Sequence, residues 1–266
     1  MIGVDTIRRS MRAASLGRTI YTFDSINSTN TFARTLRDEE CPHGTVIVAE
    51  EQTAGRGRQG RLWQSQKGMN LLFSIVLKEP SIQEKIGVLP FAAALAAADG
   101  IERISGCAVE CKWPNDLMLG RKKVAGMLIE AVTQSDPVTR VILGIGINVN
   151  QTEFAGELAQ RATSLILHNS KEVDRVPLLC AIVEELDLRI EQLKQFSPQM
   201  MLDDWKRRTT MFGSLITLAE HSESSMVRAI DVAPNGALVI EDAAGVRREV
   251  FAGDVTIGDV LAQNGK

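Results

Sequence analysis

Tyrosine occurs once in this chain, and histidine three times, at His43, His168 and His221. None of the histidines falls in a recognisable catalytic motif and no Gly-x-Ser-x-Gly elbow is present, so a hydrolase-type nucleophile and base are not indicated. The four cysteines, Cys41, Cys107, Cys111 and Cys180, show neither disulfide nor zinc spacing, and a reduced cytoplasm is the expected compartment. No charge sign dominates: 30 Lys and Arg stand against 33 Asp and Glu, for a net charge of −3. With a pI of about 5.8, that balance speaks against a general nucleic-acid or membrane surface. Long apolar runs are missing too. The longest apolar helix candidate, residues 88–98, is too short to span a bilayer, and residues 1–17 are polar and basic, without the core of a signal peptide.

What the chain does have is a basic loop between two strands. Gly55-Arg56-Gly57-Arg58-Gln59-Gly60-Arg61 follows the apolar run Thr45 to Ala49 and leads through Leu62-Trp63 into a second apolar run at residues 69–77. Glycines let backbone approach a ligand closely, and arginines supply planar, bidentate donors to phosphate or carboxylate. Pinned between buried strands, the loop is part of a globular domain and is placed to close over an anion. Three more segments carry polar groups in strand or turn contexts. They are Lys112-Trp113-Pro114-Asn115-Asp116, then Lys122-Lys123-Val124-Ala125-Gly126-Met127-Leu128-Ile129-Glu130, then Gly144-Ile145-Gly146-Ile147-Asn148. Upstream, Ser28-Thr29-Asn30 reads as the N-cap of a helix starting near Thr31.

Each segment has a bland alternative taken singly. Pro-Asn-Asp makes a good turn by its backbone chemistry alone, and Gly-x-Gly in a strand lacks the third glycine and following helix of a dinucleotide fingerprint. Their order and spacing together are specific. From about Tyr21 onward the chain resembles the catalytic domain of biotin protein ligases. The resemblance is carried by Ser28-Thr29-Asn30, Gln52, Gly55 to Arg61 with Trp63, Lys112 to Asp116, Lys122 to Glu130, and Gly144 to Asn148. Two departures touch neither the lysines nor the glycines: Asn27 stands where many relatives have an acid, and Gln59 where a basic residue is common.

The resemblance implies ATP-dependent activation of the biotin carboxylate to biotinyl-5′-AMP, then transfer to a lysine of a biotin carrier domain such as biotin carboxyl carrier protein. Lys123, Lys112 and Arg58 would do the catalytic charge stabilisation. Ser28, Thr29, Asn30, Gln52, Arg56, Gly57, Arg58, Trp63, Lys123, Gly126, Leu128 and Gly144 would bind biotin. Arg56, Arg58, Arg61, Lys112, Asn115, Asp116 and Asn148 would bind ATP, with Asp116 anchoring Mg²⁺. The alternatives are a lipoate protein ligase, which uses related chemistry, and a biotin or adenylate sensor that binds without transfer. The loop at 55–67 is expected to order on ligand binding, and Arg58→Gly to release adenylate.

The implied fold is α+β: a class II aminoacyl-tRNA-synthetase-like mixed sheet with helices over residues 1–211, of which 1–20 form a short N-terminal segment. A helix is expected over Arg175 to Gln195, where apolar residues recur at helical spacing, and a further helical stretch at 202–208. Four short strand candidates follow Phe212, so residues 212–266 are expected to form an SH3-like β-barrel. Only 27 residues precede Ser28, too few for the DNA-binding domain that some relatives carry. A ligase without repressor function, binding no DNA and no membrane, is therefore the expectation. An open sheet edge would permit a homodimer.

Overall fold

The computed structural model describes residues 2–133, 138–220 and 223–257. His221 and residues 258–266 of the expected C-terminal segment lie outside that description. Twelve strands are described: β1 (Ile20–Phe23), β2 (Thr45–Ala49), β3 (Leu71–Leu77), β4 (Glu110–Lys112), β5 (Asp116–Leu119), β6 (Lys122–Thr133), β7 (Val138–Ile147), β8 (Leu215–Glu220), β9 (Glu223–Val232), β10 (Leu238–Glu241), β11 (Arg247–Val250) and β12 (Asp254–Ile257). The helices are α1 (Val4–Ser10), α2 (Thr29–Thr35), α3 (Pro80–Gln83), α4 (Leu89–Ser105), α5 (Leu158–Arg161), α6 (Leu165–Asn169), α7 (Arg175–Gln195) and α8 (Gln199–Arg207).

Seven strands form one mixed sheet in the order β1-β2-β3-β7-β6-β5-β4. Only the β1–β2 pair is parallel; β2–β3, β3–β7 and β6–β7 are antiparallel. Side chains alternate across a strand, and this sheet separates two chemistries. Val46, Val48, Phe73, Ile75, Leu143, Ile145 and Met127 point to one face and join the main core. There the alanine-rich α4 packs against α7, and Gly100 lets Ile182 approach where a Cβ would collide with it. Each fully buried Leu, Ile or Phe on that face contributes roughly 1.5–3 kcal/mol. The other face is apolar only at one end, where Ile47, Val76 and Ile142 meet Ala33 and Leu36 beside α2. Along the rest of that face β7 presents Gly144 and Gly146, paired with Leu128 and Gly126 of β6 and with Ser74 and Leu72 of β3. That strip, nearly free of side chains, is the floor of the site.

The C-terminal strands form an antiparallel sheet in the order β11-β10-β9-β8-β12. The expected barrel is not closed: among the described residues β11 and β12 are the two edges and are not paired with each other. The fifth strand, β12, was not legible beforehand. The small sheet rests on the large one through the turn at Gly236, whose carbonyl accepts a hydrogen bond from Trp113 Nε1 at 3.2 Å. Trp113 is buried, as expected for a core residue. Gly87 and Gly236 touch backbone to backbone there, with no room for a Cβ at either.

Candidate active site

Ser28 is the N-cap of α2, its hydroxyl accepting from Thr31 N at 3.4 Å. The cap starts the helix two residues earlier than the sequence pattern places it and turns Thr29 and Asn30 inward, both buried. Thr29 donates from its backbone N and its hydroxyl to Gln52 Oε1, at 2.8 and 3.1 Å. Ser74 Oγ lies 2.6 Å from both Thr29 Oγ1 and Asn30 Oδ1. Asn30 lies over Gly144, where any Cβ would collide with its amide oxygen. Ser28, Thr29, Asn30, Gln52 and Gly144 are thus brought together at one end of the floor.

The Gly-Arg segment is a tight hairpin. Trp63 N donates to Gly55 O at 2.9 Å and Gly57 N to Arg61 O at 2.7 Å, with Arg56 bridged to Leu62. At its tip Gln59 and Gly60 have φ of 55° and 74°, the left-handed turn geometry that glycine takes without penalty. The hairpin spreads its arginines along the cleft. Arg56 faces Glu130 at 3.0 Å, at the Asn30 end. Arg58 reaches the other end, donating to Asn115 Oδ1 at 3.4 Å and to Gly253 O at 3.2 Å. Arg61 is 64% exposed and ion-paired to Asp254. Burial lowers the pKa of Arg58, partly offset by Asp254 and Asp116.

Trp63 lies on the middle of the floor. An ideal Cβ at Gly146 would sit 2.7 Å from its Cε2, and one at Gly126 would sit 3.1 Å from its Cζ3. Lys123 Nζ is 5.5 Å from the ring centroid, within cation–π reach. The same ammonium is ion-paired to Asp116 Oδ1 at 2.6 Å. Asp116 is paired across the hairpin with Lys112. Burial lowers the pKa of Lys112; Asp116 opposes that shift and Lys123 adds to it. Asn115 is fixed by Met127, whose backbone N donates to Asn115 O at 3.0 Å and whose carbonyl accepts from Asn115 Nδ2. Asn148 follows β7, its Nδ2 donating to Thr163 O at 2.9 Å and its buried Oδ1 making no hydrogen bond.

How Lys123 reaches this face is a matter of register. Leu117 pairs with Ala125 and Met118 with Lys123, so Val124 is an extra residue. Val124 and Ala125 are consecutively buried in the core, and the bulge re-aims the preceding lysine to the face of Gly126. A cavity of about 200 Å³ opens beside Arg58 and Asn115, walled by Phe91, Trp113, Leu128 and Phe251. It does not reach Thr29, Gln52 or Gly144, because Asn30 and Trp63 cover the floor there.

Several participants escaped the sequence reading. Ser74 had a signal, as the one polar residue of β3. Glu130 lies in the Lys122 to Glu130 segment that carries the resemblance but has no role assigned there, and Gly253 and Asp254 have no signal, since such residues after a turn read as solvated.

Residues 22–148 match the model of the Biotin/lipoate A/B protein ligase family. The bifunctional ligase/repressor BirA of Bacillus subtilis (strain 168) is 32% identical over 256 residues, covering 95% of this chain and 78% of that protein. The chain belongs to the biotin protein ligase family. Another member, the biotin–[acetyl-CoA-carboxylase] ligase of Mycobacterium tuberculosis, is 32% identical over 217 residues, 80% of this chain and 78% of its own. In three dimensions the fold matches the biotin protein ligase from Aquifex aeolicus in complex with biotin and ATP. The TM-score is 0.80 at 27% identity, over 91% of this chain and 99% of that one.

Proposed function

We propose that this chain uses ATP to activate biotin and transfers it to a lysine of a carrier domain. The observation that carries the reading is the polar floor around Gly144, joined by one hairpin to a cluster of Lys112, Asn115, Asp116 and Lys123. A ureido ring with two N–H donors and one carbonyl suits the Thr29, Asn30, Gln52 and Ser74 end. The apolar valeryl chain would pack along Trp63, which itself covers Gly126 and Gly146, as ligand pockets combine aromatic walls with few fixed polar groups.

That path ends at Lys123. There the carboxylate oxygen attacks the α-phosphorus of ATP, pyrophosphate leaves, and Lys123 offsets the charge that accumulates on the phosphoryl oxygens. Lys112 and Arg58 complete the positive frame, and Asn148 faces the nucleotide. In the second step the carrier lysine attacks the acyl carbon and AMP leaves. No enzyme nucleophile enters; catalysis is positioning and electrostatic stabilisation.

Asp116 fits a magnesium anchor by the chemistry of its donor set: it is a partly buried carboxylate, here ion-paired to Lys123, and Mg²⁺ takes one or two carboxylates with phosphates and water. Asp116 and Asn115 would hold it, and it would supply neutralisation of phosphate charge. Lipoyl transfer is the competing reading, and the Mycobacterium tuberculosis and Aquifex aeolicus proteins, both named as biotin ligases, favour biotin.

We further read residues 212–266 as a separate small module of SH3-like type and the cytoplasm, where ATP is abundant, as the site of action. Among the described residues no helix is long and apolar enough to cross a membrane. The reading is tested with purified protein, ATP, Mg²⁺ and apo carrier domain, by the mass of the carrier after incubation with biotin.

A further inference from the structure

Glu130 is bound by more partners than its place near the end of the site strand requires. Its side chain is 15% exposed, and three donors converge on it. Asn30 Nδ2 donates to Oε2 at 2.8 Å, Arg56 Nη2 to Oε2 at 3.0 Å and Arg34 Nη2 to Oε1 at 2.7 Å. Two of these come from α2 and one from the Gly-Arg hairpin. The carboxylate follows Gly126 and Leu128 on the same face of β6 and so sits on the floor where the ring-recognition helix and the loop meet.

We infer that Glu130 is a positioning residue that fixes the Asn30 amide for the ring and ties the loop to an occupied site. The inference rests on the proposed biotin-binding reading. Its first half follows from donor arithmetic. A carboxylate only accepts hydrogen bonds, so it holds Asn30 with Nδ2 toward Glu130 and Oδ1 toward Ser74 and the ring end. Replacing the carboxylate by an amide makes that orientation optional. Its second half follows from charge. Glu130 is the acid that faces Arg56, and hydrogen bonds to charged partners are about twice as strong as neutral ones. Because Asn30 and Arg56 share Oε2, the carboxylate that orients Asn30 for the ring also seats the stem of the hairpin.

The test compares Glu130→Gln, which keeps the shape, with Glu130→Asp, which keeps the charge. For Glu130→Gln the KM for biotin is expected to rise about tenfold, in line with the loss of a charge-assisted hydrogen bond. The KM for ATP and kcat at saturating biotin should change less than about twofold, far below that loss. Biotinyl-AMP should dissociate faster, and trypsin should cut the hairpin arginines sooner in the presence of biotin. Glu130→Asp should recover part of each effect.

Arg56→Ala should raise the same dissociation rate, and combining it with Glu130→Gln should add little more, as coupled neighbours do. An unchanged KM for biotin with unchanged adenylate retention would overturn the inference. So would an equal loss for biotin and ATP accompanied by a lowered Tm, which marks a purely structural role. If the unsubstituted protein transfers no biotin at all, it is the functional reading that falls.

Discussion

Lys123 and Gly126 face the same side of β6 although they are three positions apart, and an ideal Cβ at Gly126 would come 2.9 Å from the lysine Nζ. An unbroken strand would put the two on opposite faces. The extra residue at Val124 reverses the alternation, and the missing side chain at Gly126 leaves room for the ammonium beside Asp116. The cation proposed to stabilise the reaction is thereby held on a strand, with packing on either side, instead of on a loop.

Gly126→Ala tests that arrangement. The neighbours to be displaced are the flexible end of Lys123 and, at 3.1 Å, the edge of the Trp63 ring; neither is backbone, so the fold should survive with only a small drop in Tm. Biotinyl-AMP formation, followed by pyrophosphate release, should fall at least about tenfold, because positioning errors of ~1 Å near the chemistry cost that much or more. An unchanged rate would mean that the lysine is not used where it stands.

At the other end of the floor, Gly144→Ala forces a methyl group into the Asn30 amide oxygen. Overpacking of this kind costs roughly 1–3 kcal/mol, which is about fivefold to 150-fold where it falls on the ligand-binding geometry. Calorimetry should show the loss for biotin and leave ATP binding intact, since Asn30 lies at the far end of the site from Lys112.

Arg58→Gly removes the hydrogen bonds to Asn115 and to the Gly253 carbonyl and frees the tip of the hairpin. Biotinyl-AMP should then escape and label lysines of bystander proteins. Retention equal to that of the unsubstituted protein, measured by filtration of labelled adenylate, would exclude a lid role for this arginine.

Lys112 sets an alkaline limit. Burial lowers its pKa below the usual 10.5, so in the folded protein it loses its proton before an exposed lysine does. While charged, it opposes folding. That opposition is complete below the folded pKa and lifts as pH rises toward the unfolded value. Activity runs the other way: kcat/KM for ATP should fall as pH climbs through the folded pKa, and Lys112→Arg should remove that limb. A limb unmoved in Lys112→Arg would assign it to another group.

The cysteines should be silent. All four are buried, and burial pushes Cys111 up to about 12 and Cys180 up to about 11. Iodoacetamide at pH 8 should leave the native mass and the activity unchanged, because the thiolate is the reactive form.

Much of this was written plainly in the chain, where one local rule decides the outcome. Thr45–Ala49 and Arg175–Gln195 have the bounds their apolar patterns indicate, the first because it is a run buried on both faces and the second because it buries one apolar stripe. Ser28 caps its helix as its side chain suggests. The misses share a cause: they depend on partners distant in sequence. The bulge at Val124 exists only against β5, and its lysine would be assigned to the wrong face by alternation alone. Arg56 meets Glu130 across 74 positions, and Arg61 meets Asp254 across 193. The fifth strand of the small sheet, only four residues long, was missed for the same reason, since it is defined by pairing with β8.

The most direct test of the account is the transfer reaction itself, with ATP, Mg²⁺, apo carrier domain and equal biotin and lipoate, read by intact mass. The account predicts a carrier heavier by one biotinyl group, and no product with Lys123→Ala. A carrier bearing lipoyl alone, or one left unmodified while the protein binds biotin tightly, would contradict it.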